Sequence, residues 1–173
     1  MSSTASLSTK LVRIGAGLLI VALASIGLTL WVTWQLEGGA AAVNEAGRLR
    51  MQTWRLTSAV QAQLPPQDVA ALVAQFDGSL GLLRRGDPSR PLFVPWDEGV
   101  SREFAAVESL WQVQRSRWLQ GGATAEAPLQ GVDTFVDAID RLVRAIEEEL
   151  SGLTAILNLF QFCLLYTSPS PRD

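Results

Sequence analysis

The residues best suited to chemistry in this 173-residue chain lie in one short segment, NEAGRLRMQTWRL, from Asn44 to Leu56. In a helix, at about 100° per residue, one face of this segment should pack into a core. That face collects Ala46, Leu49, Thr53, Leu56, Val60 and Leu64. A neighbouring face collects Val43, Gly47, Arg50, Trp54 and Ser58. This second face is unusual, and we expect it to contact a partner outside its own helical bundle.

Gly47 is the first reason for that expectation. A glycine inside a helix costs about 1 kcal/mol relative to alanine, and it is best explained where another backbone must come close. The simplest partner is the same helix of a second chain, related by a two-fold axis. The sequence therefore predicts a homodimer through this helix.

Arg50 is the second reason. Two arginine side chains brought together at a two-fold axis repel each other unless an anion lies between them. Nitrate, nitrite or a carboxylate could accept paired N–H bonds from both guanidinium groups, each charge-assisted bond contributing about 1.5–3 kcal/mol. From periodicity alone, an ordinary surface arginine in a solvated salt bridge is the more common explanation. Arg48 and Arg55 lie about 140–160° around the helix from Arg50, so we expect both to be solvated or to orient loops rather than to share its pocket.

The composition excludes several other kinds of function. The chain has 14 Lys plus Arg against 17 Asp plus Glu, no His and one Cys. This charge balance suits neither a nucleic-acid binder nor a disordered tail. The absence of His and the single Cys leave no His general base, no Cys/His metal site and no internal disulfide. We therefore expect no catalytic residue, no metal and no cofactor. The 173 residues also lack the His that a phosphoacceptor site requires.

An uncharged stretch of 21 residues, from Ile14 to Trp34, matches a hydrocarbon core of roughly 30 Å. We predict a transmembrane helix over 14–36. Lys10 and Arg13 precede the apolar run and Glu37 follows it, which predicts that residues 1–13 are cytoplasmic and that the chain after Glu37 is periplasmic. The alternative is a cleaved signal peptide, but the run exceeds the usual apolar length of roughly 7–15 residues.

Residues 41–158 show helical periodicity in four segments separated by breakers. The first helix is predicted from about Ala41 to Leu64, ending at Pro65-Pro66, and Gly38-Gly39 just before it is the weak point that could act as a joint. The other three segments are a second helix carrying Val69 to Leu83, a third from Trp96–Glu98 to Gly121-Gly122, and a fourth after Pro128. The fold class is therefore all-α, an N-terminal transmembrane helix followed by a periplasmic antiparallel four-helix bundle with both ends on the membrane.

The end of the chain is compositionally different. Residues 159–162 look like the start of a second span that does not reach spanning length. The chain is expected to turn at Cys163 into CLLYTSPSPRD, whose Ser-Pro pairs disfavour a helix. Residues 163–173 resemble the translation of a transposon-type sequencing adapter, so we expect the native sequence to stop near Phe162. A genuine Ser/Pro-rich tail is the alternative.

Two segments carry a family resemblance. NEAGRLRMQTWRL resembles the P-box of NarX/NarQ-type nitrate and nitrite sensors and of the related sensor domain in type IV pili chemoreceptors, whose pattern is N-x-A-G-x-L-R-M-x-x-x-R. The matching residues are Asn44, Ala46, Gly47, Leu49, Arg50, Met51 and Arg55. The segment FVDAIDRLVRAIEEE, from Phe135 to Glu149, is similar to the stretch that precedes the second span in those domains.

The resemblance implies a periplasmic bundle that dimerises through its first helix and holds one anion at the dimer axis. The arginine that matches Arg50 binds the anion, and the glycine that matches Gly47 lies beside it. The implied function is a nitrate- or nitrite-sensing input module of a bacterial inner-membrane sensor histidine kinase. Two alternatives stay open, a chemotaxis or pilus receptor with the same fold and a membrane-anchored bundle that only dimerises. The expected partners are a small anion, a second copy and the lipid bilayer, and no nucleic acid.

Overall fold

The computed structural model describes residues 7–87, 89, 91–120 and 129–167. Four helices account for most of them: α1 (Leu7–Gln61), α2 (Pro66–Arg85), α3 (Glu98–Gln120) and α4 (Val132–Thr167). Within the described residues, β pairing is limited to a single isolated bridge between Asp87 and Leu92. The predicted all-α fold, with an apolar N-terminal helix and a helical bundle, is confirmed.

The chain divides into two compact units. One unit comprises Met1–Trp34 and Leu153–Asp173. Large apolar side chains of α1 in this unit, such as Leu11, Leu18 and Leu30, are 62 to 66% exposed. Among the described residues, α1 is the one helix long and apolar enough to cross a membrane. This is the pattern of a helix that faces lipid on most sides, and it supports the predicted transmembrane segment.

The second unit, Gln35–Gly152, is the helical bundle. Helices α1 and α4 are antiparallel, because Gly39 and Arg50 of α1 lie against Leu150 and Asp140 of α4 in reverse order. Helices α2 and α3 are also antiparallel, since their ion pairs join Asp77 to Arg115 and Arg84 to Glu108. An aromatic cluster from three helices fills one level of the core, where the Phe76 and Trp111 ring centroids are 3.8 Å apart. Phe135 and Trp118 complete this cluster. Because α1 contributes small and aliphatic core residues instead, it packs close against the others.

The connection between α1 and α2 begins earlier in the sequence than predicted. Helix α1 ends at Gln61 rather than Leu64, and Gln63 adopts a positive φ of 53°. Pro66 then opens α2, where a missing N–H costs nothing. The prediction that Leu64 packs into the core is wrong, since Leu64 lies outside the helix and is 43% exposed.

Gly38 and Gly39 do not interrupt α1, which is a continuous helix of 55 residues. A Cβ atom added at Gly38 would overlap the Phe93 ring, and one added at Gly39 would overlap a Leu150 methyl group. The Phe93 backbone N–H also donates to the Gly38 carbonyl at 3.4 Å. The two glycines therefore serve close packing of α1 against the α2–α3 connection and against α4.

The remaining predicted boundaries are the start of α3, the break between α3 and α4, and the end of α4. Asp97 caps α3 at the predicted start, its Oδ1 accepting from the Val100 N–H at 2.6 Å. Gly121-Gly122 and Pro128 lie outside the described residues. Helix α4 continues four residues past Cys163 and ends at Thr167, directly before a Ser-Pro pair, so the predicted turn at Cys163 is wrong. Residues 168–173 lie outside the described residues.

The glycine contacts generate a stability prediction. Gly38→Ala should lower the melting temperature, because overpacking against Phe93 costs about 1–3 kcal/mol and exceeds the helix-propensity gain of about 1 kcal/mol. Gly78→Ala is the matched control, since Gly78 lies in α2 with no atom within 4 Å of an added Cβ. That control should raise the melting temperature. Thermal unfolding followed by circular dichroism in lipid nanodiscs makes the comparison, and a stabilised Gly38→Ala would contradict the packing role.

Candidate functional site

The segment that carries the P-box pattern lies in the bundle part of α1, with its predicted inner face in the core. Ala46, Leu49, Thr53 and Leu56 are each fully buried. The Thr53 hydroxyl donates to the Leu49 carbonyl at 2.9 Å, which satisfies the one polar group on this face. The core face predicted for these four residues is confirmed, and it fixes the direction in which the rest of the motif points.

The neighbouring face of α1, which carries Gly47 and Trp54, is open to solvent. Gly47 has no atom within 4 Å of an added Cβ. Met51 and Trp54 are 54% and 47% exposed, an unusual state for two large apolar side chains in adjacent turns. Asn44, at the start of the motif, is also exposed. Of the face predicted to meet a partner, Gly47, Trp54 and Ser58 lie on an open surface, whereas Val43 is partly buried and packs against the core.

Arg50 lies at one flank of this surface. Its Nη1 donates to Oδ1 of Asp140 on α4 at 2.8 Å, and the two side chains are 50% and 30% exposed. The guanidinium group therefore has one carboxylate partner from the opposing helix and half of its surface in solvent. An exposed pair of this kind contributes about 0–1 kcal/mol to stability.

The other two arginines of the motif lie apart from Arg50, as predicted. Arg55 lines an open groove of about 480 Å³ between α1 and α2, together with Met51, Trp54 and Leu72. Arg48 is near Glu45, with Nε 3.8 Å from Oε2. Arg50 does not line this groove.

Sequence reasoning did not single out Asp140. The sequence feature that could have pointed to Asp140 is a carboxylate directly after the core residue Ile139, inside the second segment of family resemblance. Glu45 was also missed, and its position between core residues leaves the side chain only 3% exposed. Among the residues described, no group of three or more His, Cys, Asp and Glu side chains is arranged to hold a metal ion.

Comparison with known proteins identifies a family for the chain. Residues 31–135 match the family described as the N-terminal domain of type IV pili methyl-accepting chemotaxis transducers, PilJ. The chain is also 24% identical over 127 residues, or 73% of its length, to proteins named nitrate/nitrite sensor protein NarX from Escherichia coli K12, E. coli O157:H7 and Shigella flexneri. It spans about a fifth of the length of these relatives, the aligned region being 20% of each.

The family match and the similarity to NarX, together with an apolar N-terminal helix and a helical bundle, identify a membrane-associated sensor input domain. The chain belongs to the family of type IV pili methyl-accepting chemotaxis transducer N-terminal domains, because more than half of it matches that family. The predicted resemblance to this family of sensor domains is thereby confirmed.

The exposure of Arg50 generates a prediction about stability. Arg50→Ala should lower the free energy of unfolding by no more than about 1 kcal/mol, because it removes a solvated ion pair. Leu49→Ala, one residue away but fully buried, should cost about 2–5 kcal/mol. Chemical denaturation of the two variants measures both values. A loss of 3 kcal/mol or more for Arg50→Ala would mean that Arg50 is a structural residue.

Proposed function

We propose that the chain is the periplasmic anion-sensing module of a bacterial inner-membrane receptor, with nitrate or nitrite as the ligand and a two-component sensor histidine kinase as the parent. One observation carries the proposal: α1 presents Arg50 half-exposed beside a glycine whose surroundings are open. Lys10 and Arg13 before the apolar segment support a cytoplasmic N-terminus.

The proposed ligand site needs two copies of the chain. Within one protomer, Arg50 contacts one carboxylate and solvent. This environment is too open to hold a small anion by itself. A second copy docked on the face of Gly47 would cover Met51 and Trp54 and would bring a second guanidinium group to the axis. The apolar area removed from water at these two side chains would favour such a dimer.

The proposed ligand is a small planar oxyanion, because two rigid guanidinium forks can each donate paired N–H bonds to its oxygen atoms. The relatives named nitrate/nitrite sensor protein NarX support nitrate or nitrite as the first anions to test. In the proposed mechanism the anion draws the two Arg50 side chains together and displaces α1 relative to α4. Displacements of about 1–2 Å are common in helical switches.

The ligand proposal predicts a specific loss of binding. Arg50→Ala should weaken nitrate binding at least about 100-fold, since it removes two or more charge-assisted hydrogen bonds of about 1.5–3 kcal/mol each. Isothermal titration calorimetry of the whole chain in nanodiscs, with sodium chloride at equal ionic strength as the blank, measures the difference. Arg55→Ala is the control. Its nitrate affinity should stay within about threefold of wild type, since an exposed charge on another part of the helix surface interacts with the anion by less than about 1 kcal/mol. Wild-type protein that binds neither nitrate nor nitrite would contradict the proposal.

The dimer proposal predicts that Gly47→Leu weakens dimerisation without unfolding the protomer. The protomer has room for the side chain, so its melting temperature should change by only a few degrees. The added isobutyl group should hold the two α1 helices apart and weaken both dimerisation and nitrate binding. Analytical ultracentrifugation in detergent measures the dimer. A Gly47→Leu variant that dimerises as strongly as wild type would place the interface elsewhere.

A chemotaxis or pilus receptor is the second candidate for the parent protein. The match of residues 31–135 to a chemotaxis transducer family favours it specifically. Both parents would use the same input module, so sequencing the gene beyond Phe162 distinguishes them. A bundle that only dimerises is the third candidate, and it would form a dimer indifferent to nitrate and to Arg50→Ala.

A further inference from the structure

We propose that Asp140 is a built-in counter-anion for Arg50, which holds the guanidinium group on α4 when the site is empty and competes with the ligand for it. This inference rests on the proposed anion site and specifies how that site is regulated. A bound anion would take Arg50 away from Asp140, and α4 would receive the signal as the loss of a direct contact with α1.

The geometry of the pair supports competition. A carboxylate is itself a planar oxyanion, so Asp140 offers Arg50 the same kind of acceptor as nitrate does. The contact at 2.8 Å joins α1 to α4 across 90 residues of sequence. It joins one Nη1 donor to one Oδ1 acceptor, so the pair is not the bidentate arrangement that would hold most strongly. With side chains 50% and 30% exposed, the contact can exchange without unfolding the core.

The charges of a dimer support the same conclusion. Two Arg50 side chains alone would place two positive charges at the axis, and their repulsion would oppose an empty dimer. Two Asp140 carboxylates neutralise both, so an empty dimer is tolerated. A ligand anion then adds a negative charge to a site that already holds two carboxylates, and the site binds it less tightly than two free guanidinium groups would.

The neighbouring charged groups do not replace Asp140. On α4, Asp137 precedes it by one turn and Arg144 follows by one turn, and both are exposed. On α1, Glu45 lies on the buried side and is near Arg48 rather than Arg50. Asp137 provides a matched control, because Asp137→Asn removes the same charge from the same helix but leaves the contact between Arg50 and Asp140 in place.

The test compares nitrate affinities of the whole chain in nanodiscs by calorimetry at fixed ionic strength. Coupling between two interacting sites is commonly about 5- to 150-fold, and we expect Asp140→Asn to bind nitrate about tenfold more tightly than wild type. Asp137→Asn should stay within about twofold, and Asp140→Glu, which keeps the charge, should return toward wild type. Unchanged or weaker binding by Asp140→Asn, with wild type still binding, overturns the competition and leaves the proposed function intact.

The remaining outcomes also separate the two proposals. Binding by Asp140→Asn when wild type is silent supports the competition and contradicts nitrate sensing by the native site. No binding by either protein overturns both proposals. A double-mutant cycle of Arg50→Ala and Asp140→Asn in thermal unfolding supplies a second readout. The coupling between the two residues should be present without nitrate and should disappear at saturating nitrate, and a coupling unaffected by nitrate counts against the exchange.

Discussion

A permanently charged guanidinium group must be solvated or paired, and in this bundle it is placed where both states are available. Arg50 projects from the outer face of α1, with solvent on one side and the Asp140 carboxylate on the other. The rest of α1 makes this position possible, because Ala46, Leu49 and Leu56 anchor the inner face in the core. The charge is therefore held at a defined height on the bundle, and the proposed mechanism requires only its partner to change.

The same logic explains the composition of α1. Its core residues are small or aliphatic, whereas α2, α3 and α4 supply the aromatic cluster of Phe76, Trp111 and Phe135. Gly38 and Gly39 let the Phe93 ring and Leu150 lie directly on the α1 backbone. A helix held by large interlocking side chains would resist displacement, while one held by small residues changes position at lower cost. These features suit a helix that is displaced in the proposed signalling mechanism.

Periodicity was sufficient to predict the inner and outer faces of α1, because burial follows the 3.6-residue repeat for Ala46, Leu49 and Leu56. It was insufficient for Asp140, since the contact with Arg50 depends on the register between two helices 90 residues apart. Local helix propensity indicates a weak point at Gly38-Gly39. The structure shows instead that these glycines make room for the α2–α3 connection and for α4, which sequence periodicity does not reveal. The end of α1 was placed three residues late, because the positive φ at Gln63 is not encoded by a glycine.

The central claim is that two copies of the chain meet through the open face around Gly47. Disulfide formation tests it directly, because a bond requires Cα atoms within about 7 Å. With Cys163→Ser as background, Gly47→Cys in nanodiscs should oxidise rapidly to a covalent dimer, while Gln112→Cys on the exposed side of α3 should stay monomeric. A Gly47→Cys chain that remains monomeric, or that crosslinks no faster than Gln112→Cys, would contradict the account.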